Sequence, residues 1–137
     1  MQLETFKKTL QSKQLFVTRE RSLLFEKLSR LQSPITITQL AALLSSEMNE
    51  TTVYRNIELF ESLDITTRVY TGWRYKVELS DRFSSHHHHM TCETCGQIIS
   101  FQESAGFQRE LQKLESAYGF RSSSHSLELR GQCKACC

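Results

Sequence analysis

The chain has 137 residues with a net charge of +2, 39% hydrophobic residues, 23% charged residues and a single proline. This composition is typical of a globular protein with one domain or two small ones, and the small net charge does not by itself indicate a nucleic-acid-binding protein. No apolar run is long enough to span a membrane, and the charged N-terminal stretch lacks the apolar core of a signal peptide. We therefore expect a cytoplasmic protein that is neither secreted nor inserted in a membrane.

Helical spacing of apolar residues dominates the first half of the chain. The apolar residues from Phe6 to Phe16 predict a short opening helix. Thr18 can cap a second, amphipathic helix with leucines at helical spacing, which Pro34 ends. A short helix that begins at Thr38 or a neighbour follows, and a polar turn comes after it.

The next helix begins at Thr51 or Thr52, and apolar residues lie on one of its faces: Val53, Ile57, Phe60 and Leu63. After it, residues 65–71 and 73–79 are rich in β-branched and aromatic residues and flank Gly72, which predicts a β-hairpin. This order is the layout of a winged helix-turn-helix, in which the helix after the turn enters the DNA major groove and the hairpin lies against the backbone. A small α+β core that binds no nucleic acid is the alternative.

The exposed side of this last helix favours the DNA-binding interpretation. Polar residues lie near its start, where base and phosphate contacts are made, and the apolar positions lie opposite. The residues predicted to contact DNA are Arg19, Arg21, Thr52, Tyr54, Arg55 and Asn56. Further phosphate contacts could come from Arg68, Arg74 and Lys76.

A second module is predicted after a linker at residues 81–85. Two strands flank the first C-x-x-C, a helical stripe runs from Phe107 to Tyr118, and a last strand over 125–131 alternates Leu127 and Leu129 inward. The predicted fold class is α+β, with a winged-helix domain over 1–80 and a small α+β domain over 86–137. A domain with so little core benefits from a structural metal.

All five cysteines lie in this second module, as Cys92, Cys95, Cys133, Cys136 and Cys137. An odd number grouped in C-x-x-C pairs indicates metal binding in a reducing compartment rather than disulfides. Two such pairs supply the four thiolates of a tetrahedral structural zinc site without an open position. Cys136 and Cys137 both suit the fourth ligand position, and a redox C-x-x-C is the alternative function.

Four consecutive histidines, residues 86–89, directly precede the first cysteine pair. Alternate side chains of a strand point to opposite faces, so His86 and His88 share one face and the other two histidines share the other. One strand can therefore contribute to two metal sites, with His125 and Glu78 as further ligands. A solvated histidine cluster or an expression scar is the alternative.

Three segments together resemble the ferric uptake regulator (Fur) family of metal-dependent transcriptional regulators: TTVYRNIELF, VELSDRFSSHHHHMTCETCG and GFRSSSHSLELRGQCKAC. The resemblance covers almost the full length. It implies an N-terminal winged-helix DNA-binding domain, a C-terminal dimerisation domain, and a homodimer that binds a roughly palindromic double-stranded DNA operator. It also implies that the ligands of the structural zinc are Cys92, Cys95, Cys133 and Cys136.

The resemblance implies two regulatory metal sites as well. A hinge site maps to Glu78, His87 and His89. The family's remaining hinge histidine falls here at Ser33 or Pro34, neither of which can replace it. The second site maps to His86, His88, Gln108 and His125. Its glutamate position reads as glutamine, with Glu103 and Glu110 nearby.

The run HHHH, where the family has H-H-D-H, is similar to the zinc uptake regulator branch. Imidazole in place of carboxylate makes a site richer in nitrogen, which suits zinc better than Fe(II) or Mn(II). We therefore predict a repressor of metal-uptake genes that senses zinc, with Fe(II) as the alternative metal. A peroxide sensor fits less well, because that branch relies on carboxylates to hold iron.

Two other classes of protein are alternatives to this prediction. Three histidines and a carboxylate could hold a catalytic zinc ion, but no general base or substrate pocket can be named for a zinc-dependent enzyme. A winged-helix protein-interaction module is the other class. Salt-dependent affinity for duplex DNA distinguishes a DNA-binding protein from such a module, because phosphate contacts release counterions.

Overall fold

The computed structural model describes all 137 residues. The chain forms two compact units, Met1–Ser85 and His86–Cys137. In the first unit the helices are α1 Gln2–Ser12, α2 Arg19–Arg30, α3 Ile37–Leu43 and α4 Glu50–Ser62. None of the helices in the chain combines the length and the apolar character needed to cross a membrane.

Side-chain caps fix where three of these helices begin. The Thr18 side chain accepts a hydrogen bond from the backbone N–H of Arg21, which confirms the predicted cap of α2. Thr36 caps α3 and forms a reciprocal capping box with Gln39. Asn49 caps α4, so this helix begins slightly earlier than Thr51 or Thr52, where the sequence pattern placed its start.

Phenylalanine rings form the centre of the first unit's core. Phe6 of α1 stacks on Phe25 of α2 with ring centroids 4.3 Å apart, and its edge meets Phe60 of α4 at 5.4 Å. Phe83 is 2% exposed and packs edge-on against Phe25. Residues 81–85, predicted as a linker, therefore belong to the first unit. Phe16 lies beyond the end of α1 and is 84% exposed, so the opening helix is shorter than predicted.

The predicted hairpin consists of β1 Thr66–Thr71 and β2 Arg74–Leu79, which pair antiparallel. Thr71 lies opposite Arg74, which leaves a two-residue turn. Gly72, at the first turn position, has a φ of +66°, a conformation that glycine adopts without the steric cost of a side chain. The sequence therefore predicted both the hairpin and the glycine on which it turns.

The second unit contains β3 His88–Cys92, β4 Ile98–Phe101, α5 Ala105–Tyr118 and β5 Glu128–Gly131. Its sheet has the order β4-β3-β5, in which β3 pairs antiparallel with β4 and parallel with β5. Ser104 caps the start of α5, and Gly119 ends it in the left-handed conformation. Leu129 was predicted to point inward, but it lies on the edge strand β5 and is 48% exposed.

Candidate metal centres and nucleic-acid interface

Four cysteines lie together at one end of the three-stranded sheet. β3 ends at Cys92, which lies opposite Gly131 near the end of the parallel strand β5. Parallel strands end at the same edge of a sheet, so the C-x-x-C turns after β3 and β5 meet there. The Sγ atoms of this cluster lie within 4.8 Å of one another: Cys92, Cys95, Cys133 and Cys136.

The spacing of these sulfur atoms fits a tetrahedral zinc ion. The Sγ atoms of Cys95 and Cys133 are 3.7 Å apart. Four sulfurs, each about 2.3 Å from a central zinc, are separated from one another by about 3.8 Å. Cys137 lies outside the cluster, and its thiol contacts the carbonyl of Lys134. Cys136, rather than Cys137, is therefore the fourth cysteine of the group.

Hydrogen bonds within this cluster shift the pKa values of two of its thiols. The backbone N–H groups of Cys95 and Cys133 donate to Sγ of Cys92 at 3.5 and 3.4 Å, and they lower the pKa of Cys92 to about 6. The hydrogen bonds of Cys136 to its neighbouring thiols, Cys133 first, raise the pKa of Cys136 to about 12. The Cys92 thiol therefore ionises readily, whereas the Cys136 thiol ionises with difficulty. A divalent cation at the centre of the cluster would favour the ionised form of both thiols.

A second cluster lies at the opposite end of the same sheet. His88 at the start of β3 pairs with Phe101 at the end of the antiparallel strand β4, and Glu103 follows two residues later. His125 precedes β5, which starts at the same edge as β3 because the two strands are parallel. Ligand atoms of four residues lie within 4.8 Å of one another here: His86, His88, Glu103 and His125.

Glu103 is the centre of this second cluster. The Nε2 atoms of His86 and His88 lie 3.1 and 2.8 Å from its Oε1, and Nε2 of His125 contacts the same atom. The Glu103 side chain is only 4% exposed, and its Oε2 is buried without a hydrogen-bond partner. The hydrogen bonds from His88 and then His125 lower the pKa of Glu103, so the carboxylate is ionised at neutral pH.

This donor set fits a metal ion as well as the cysteine cluster does. The Nε2 atoms of His86 and His125 are 3.3 Å apart, and tetrahedral ligands at about 2.0–2.1 Å from zinc are separated by about 3.3 Å. A buried carboxylate oxygen without a partner costs free energy, which a cation bound at that position would recover. Three imidazoles and one carboxylate form a nitrogen-rich site.

Gln108, predicted as a ligand of this site, is exposed on α5, and its role as a ligand stays a prediction. The carboxylate of the cluster is that of Glu103. The register of β3 against β4 could have identified Glu103 from the sequence. With His88 opposite residue 101, residue 86 lies beside residue 103.

The residues predicted for the hinge site lie in both units. His87 and His89 belong to the second unit, where their ring centroids are 4.9 Å apart. Glu78 belongs to the first unit, where it lies on β2 opposite Thr67. Both histidines are half-buried.

The predicted DNA contacts fall into two groups in the structure. Tyr54 and Arg55 are exposed on the N-terminal half of α4, and the Tyr54 hydroxyl lies 3.2 Å from Oγ1 of Thr38 on α3. Asn56 is instead held within the fold, because its Oδ1 accepts from Nε of Arg21 and its Nδ2 donates to the carbonyl of Thr52. Of the predicted DNA contacts on α4, Tyr54 and Arg55 are therefore the two that are exposed.

The other predicted contacts also have partners inside the first unit. Arg21 donates to the carbonyl of Phe16 at 2.6 Å as well as to Asn56. Arg19 forms an ion pair with Glu47. The Thr52 hydroxyl donates to Oδ1 of Asn49 at 2.9 Å. Of these contacts, the one between Arg21 and Asn56 joins α2 to α4.

Known proteins resemble this chain in both sequence and structure. The profile of the ferric uptake regulator family matches residues 12–130. The ferric uptake regulation protein of Campylobacter jejuni is 31% identical over 140 residues, which cover 98% of this chain and 87% of that protein.

Two solved structures share the fold. The ferric uptake regulator of Helicobacter pylori, whose structure reveals three functional metal binding sites, aligns with a TM-score of 0.82 and 19% identity over 98% of this chain and 91% of that one. The Vibrio cholerae ferric uptake regulator aligns with a TM-score of 0.70 and 28% identity, over 93% of this chain and 98% of that one.

Proposed function

Since this chain belongs to the ferric uptake regulator family, whose members are metal-responsive, DNA-binding transcription regulators and not enzymes, we propose that it represses metal-uptake genes when zinc is abundant. The observation that carries the proposal is the convergence of three histidines on the buried carboxylate of Glu103. A nitrogen-rich donor set of this kind suits zinc better than the harder Fe(II). The protein would act as a homodimer on a roughly palindromic DNA operator.

A structural role is proposed for the cysteine cluster. Its four sulfurs have the spacing of a zinc site without an open ligand position, so the ion would stabilise the second unit rather than sense metal concentration. The second unit needs such support, because α5 has no buried residue of its own in the single chain. The zinc would be bound by Cys92, Cys95, Cys133 and Cys136.

The hinge residues supply the proposed link between metal and DNA. An ion bound by Glu78 of the first unit and by His87 and His89 of the second would restrict the motion of one unit relative to the other. In a dimer this restriction fixes the distance between the two copies of α4. Metal can favour that arrangement only through its higher affinity for it, and couplings of this kind change affinity by up to about a hundredfold.

Iron is the second candidate for the sensed metal. The observation in its favour is that the Campylobacter jejuni relative is a ferric uptake regulation protein. The donor set argues against iron, because it contains three imidazoles, one of them from His88, and only one carboxylate. Zinc also binds more tightly than Fe(II) at most nitrogen-rich sites, so affinity must be compared at matched free-metal concentrations.

The test is duplex binding under controlled metal. A duplex recovered by this protein from a random-sequence pool is titrated with the protein at buffered Zn or Fe(II). We expect zinc to raise the affinity about a hundredfold in the wild type and to have no effect in the His87→Ala, His89→Ala double variant, which should remain a folded dimer. Gln108→Ala is the control that should respond as the wild type does.

Each alternative outcome overturns a different part of the proposal. If the affinity for the duplex rises with Fe(II) but not with zinc, the protein is still a metal-responsive regulator, but the sensed metal is iron. An unchanged zinc response in the double variant contradicts the hinge site. Absence of salt-dependent duplex binding under both metals contradicts the DNA-binding function itself.

A further inference from the structure

We propose that a cationic cleft in the first unit, formed by one face of α1, the end of α4 and Arg82, binds a small phosphate-bearing anion. The cleft has a volume of about 340 Å³, which lies in the range of pockets that bind small molecules. Lys8 and Lys13 line it together with Arg82, and no acidic residue does. The inference does not depend on the proposed function, which uses none of these residues.

Helical spacing brings the polar residues of α1 to the cleft. Phe6 and Leu10 are buried and direct one face of the helix into the core. Residues 5, 8, 9 and 12 recur at intervals of three and four, so they share a different face, and this face borders the cleft. Lys13, the residue at which the helix ends, lies beside it.

Hydrogen bonds hold the guanidinium of Arg82 in place before any ligand binds. Its Nη1 donates to the carbonyl of Leu63 at 2.9 Å, and its Nη2 donates to Oγ1 of Thr9 at 3.3 Å. The next residue, Phe83, is buried against Phe25, which fixes the backbone at this point. A guanidinium has five N–H groups, so Arg82 keeps further donors for an anion and loses little freedom when it binds one.

The two lysines of the cleft carry charges that the fold does not neutralise. Lys8 and Lys13 are exposed and form no ion pair, whereas Lys7 on the same helix lies 3.8 Å from the carboxylate of Glu4. Together with Arg82 they place three positive charges around one cleft. Like charges at close range repel one another, and an anion bound among them removes this repulsion.

The chemistry of the lining favours a phosphate ester that also carries hydroxyl groups. A phosphate monoester has a charge of about −1.5 to −2 at neutral pH, which three cations match better than they match a single carboxylate. The hydroxyls of Thr5 and Ser12 already donate to backbone carbonyls of α1, so their oxygens are left as acceptors. Ligand hydroxyls can donate to these oxygens, as those of a sugar phosphate would.

The position of the cleft argues against the DNA backbone as the source of the phosphate. Leu63, which lines the cleft, ends α4, whereas the exposed predicted DNA contacts Tyr54 and Arg55 lie in the N-terminal half of that helix. At 1.5 Å per residue, Leu63 lies about 14 Å along the helix axis from Tyr54. A soluble anion is therefore the ligand that this end of the helix can bind while the other end contacts DNA.

The test is a calorimetric titration of the full-length protein, loaded with zinc and then dialysed to remove unbound metal. Glucose 6-phosphate, orthophosphate, glucose and sodium chloride at matched ionic strength are titrated separately. We expect glucose 6-phosphate to bind at one site per chain, orthophosphate to bind more weakly, and glucose and chloride not to bind. If orthophosphate binds as tightly as the ester, the site is supported and free phosphate is its ligand.

A double variant, Lys8→Gln with Lys13→Gln, locates the binding. It should weaken the affinity for glucose 6-phosphate at least about tenfold, because it removes two charge-assisted contacts. Its unfolding midpoint should match that of the wild type, since neither lysine has a partner in the fold. Arg82→Gln should weaken binding too, although Arg82 also supports the fold. Lys7→Gln is the matched control and should bind as the wild type does, because Lys7 lies on the same helix outside the cleft.

The outcomes separate this inference from the proposed function. A wild type that does not bind glucose 6-phosphate or orthophosphate at millimolar concentration overturns the site, and so does full affinity in the double lysine variant. A double variant that loses affinity for the duplex, from a wild type that binds no phosphate ester, overturns it in favour of a DNA contact. Failure of the wild type to bind duplex under either metal overturns the proposed function and leaves the anion site as it stands.

Discussion

Glu103 shows how one side chain can decide the chemistry of a site. An ionised carboxylate that is only 4% exposed is costly unless charged or polar groups surround it. Imidazole nitrogens contact its Oε1, while its Oε2 is buried without a partner. The histidines thus contact one oxygen of the carboxylate, and a bound cation could contact the other.

Glu103→Gln should therefore weaken metal binding at the histidine cluster and leave metal binding at the cysteine cluster unchanged. We expect the variant to lose metal affinity at the histidine cluster by at least about tenfold, because the charged ligand is removed, while the zinc of the cysteine cluster is retained. Metal content by elemental analysis after zinc loading and dialysis measures both sites.

Two variants of α5 serve as controls for this prediction. Gln108→Ala and Glu110→Gln change exposed residues outside the cluster, and both should keep the wild-type stoichiometry. Loss of metal in Gln108→Ala with retention in Glu103→Gln would reverse the assignment of the carboxylate ligand.

At the scale of elements, Glu115 links α5 to the segment that follows this helix. Its carboxylate accepts hydrogen bonds from the Ser122 hydroxyl and from the Ser122 backbone N–H, the latter at 2.8 Å. These hydrogen bonds lower the pKa of Glu115 below its ordinary value of 4.5. The helix end is held by this contact and by Gly119 rather than by burial, since α5 has no buried residue.

The lowered pKa of Glu115 predicts a pH-dependent contribution to stability. A carboxyl group whose pKa is lower in the folded state stabilises that state above its unfolded pKa, and the contribution disappears as the pH falls through the folded value. Glu115→Ala should thus unfold a few degrees below the wild type at neutral pH, and the difference should shrink below pH about 4.

Thermal unfolding of both proteins across this pH range measures the difference directly. Glu110→Ala, an exposed substitution on the same helix, controls for helix propensity and general acid effects. A difference between Glu115→Ala and the wild type that is the same at every pH would show that the carboxylate charge contributes nothing.

The elements also show what local sequence could and could not predict. Thr18 directly precedes an amphipathic helix, so its cap could be identified, whereas Asn49 was missed because two threonines follow it and suit the same role. The last strand begins at Glu128, later than the alternation from residue 125 predicted. The backbone N–H of Leu127 donates to Nδ1 of His88 at 3.1 Å, so it is used by a side chain instead of a neighbouring strand.

At the scale of the whole molecule, the metal-binding motifs could be recognised in short segments of sequence. The strand pairing that brings these segments together could not. The two C-x-x-C pairs and the histidine run could be recognised from spacing, and the resemblance to a family supplied the fold. The parallel pairing of β3 with β5 brings the cysteines to one end of the sheet and His125 to the other. Strand direction depends on the path of the chain between Phe101 and Glu128, which short motifs do not encode.

The two units are stabilised in different ways, and this difference predicts which of them unfolds when zinc is lost. The first unit has a phenylalanine-centred core, and the second has only a small sheet and a helix without buried residues. Apparent free energies of structural zinc binding are about 10–16 kcal/mol in zinc-finger peptides, more than a unit of this size gains from its core. Loss of the zinc proposed for the cysteine cluster should unfold the second unit alone.

Cys133→Ser is the variant that tests this prediction, because Cys133 belongs to the cysteine cluster and its backbone N–H donates to Sγ of Cys92. We expect it to lose its tightly held zinc and its dimeric state while the helices of the first unit persist, as judged by elemental analysis, sedimentation and far-ultraviolet circular dichroism. Cys137→Ser, outside the cluster, should behave as the wild type. A Cys133→Ser protein that remains dimeric, zinc-loaded and equally heat-stable would show that the second unit folds without the four-cysteine site.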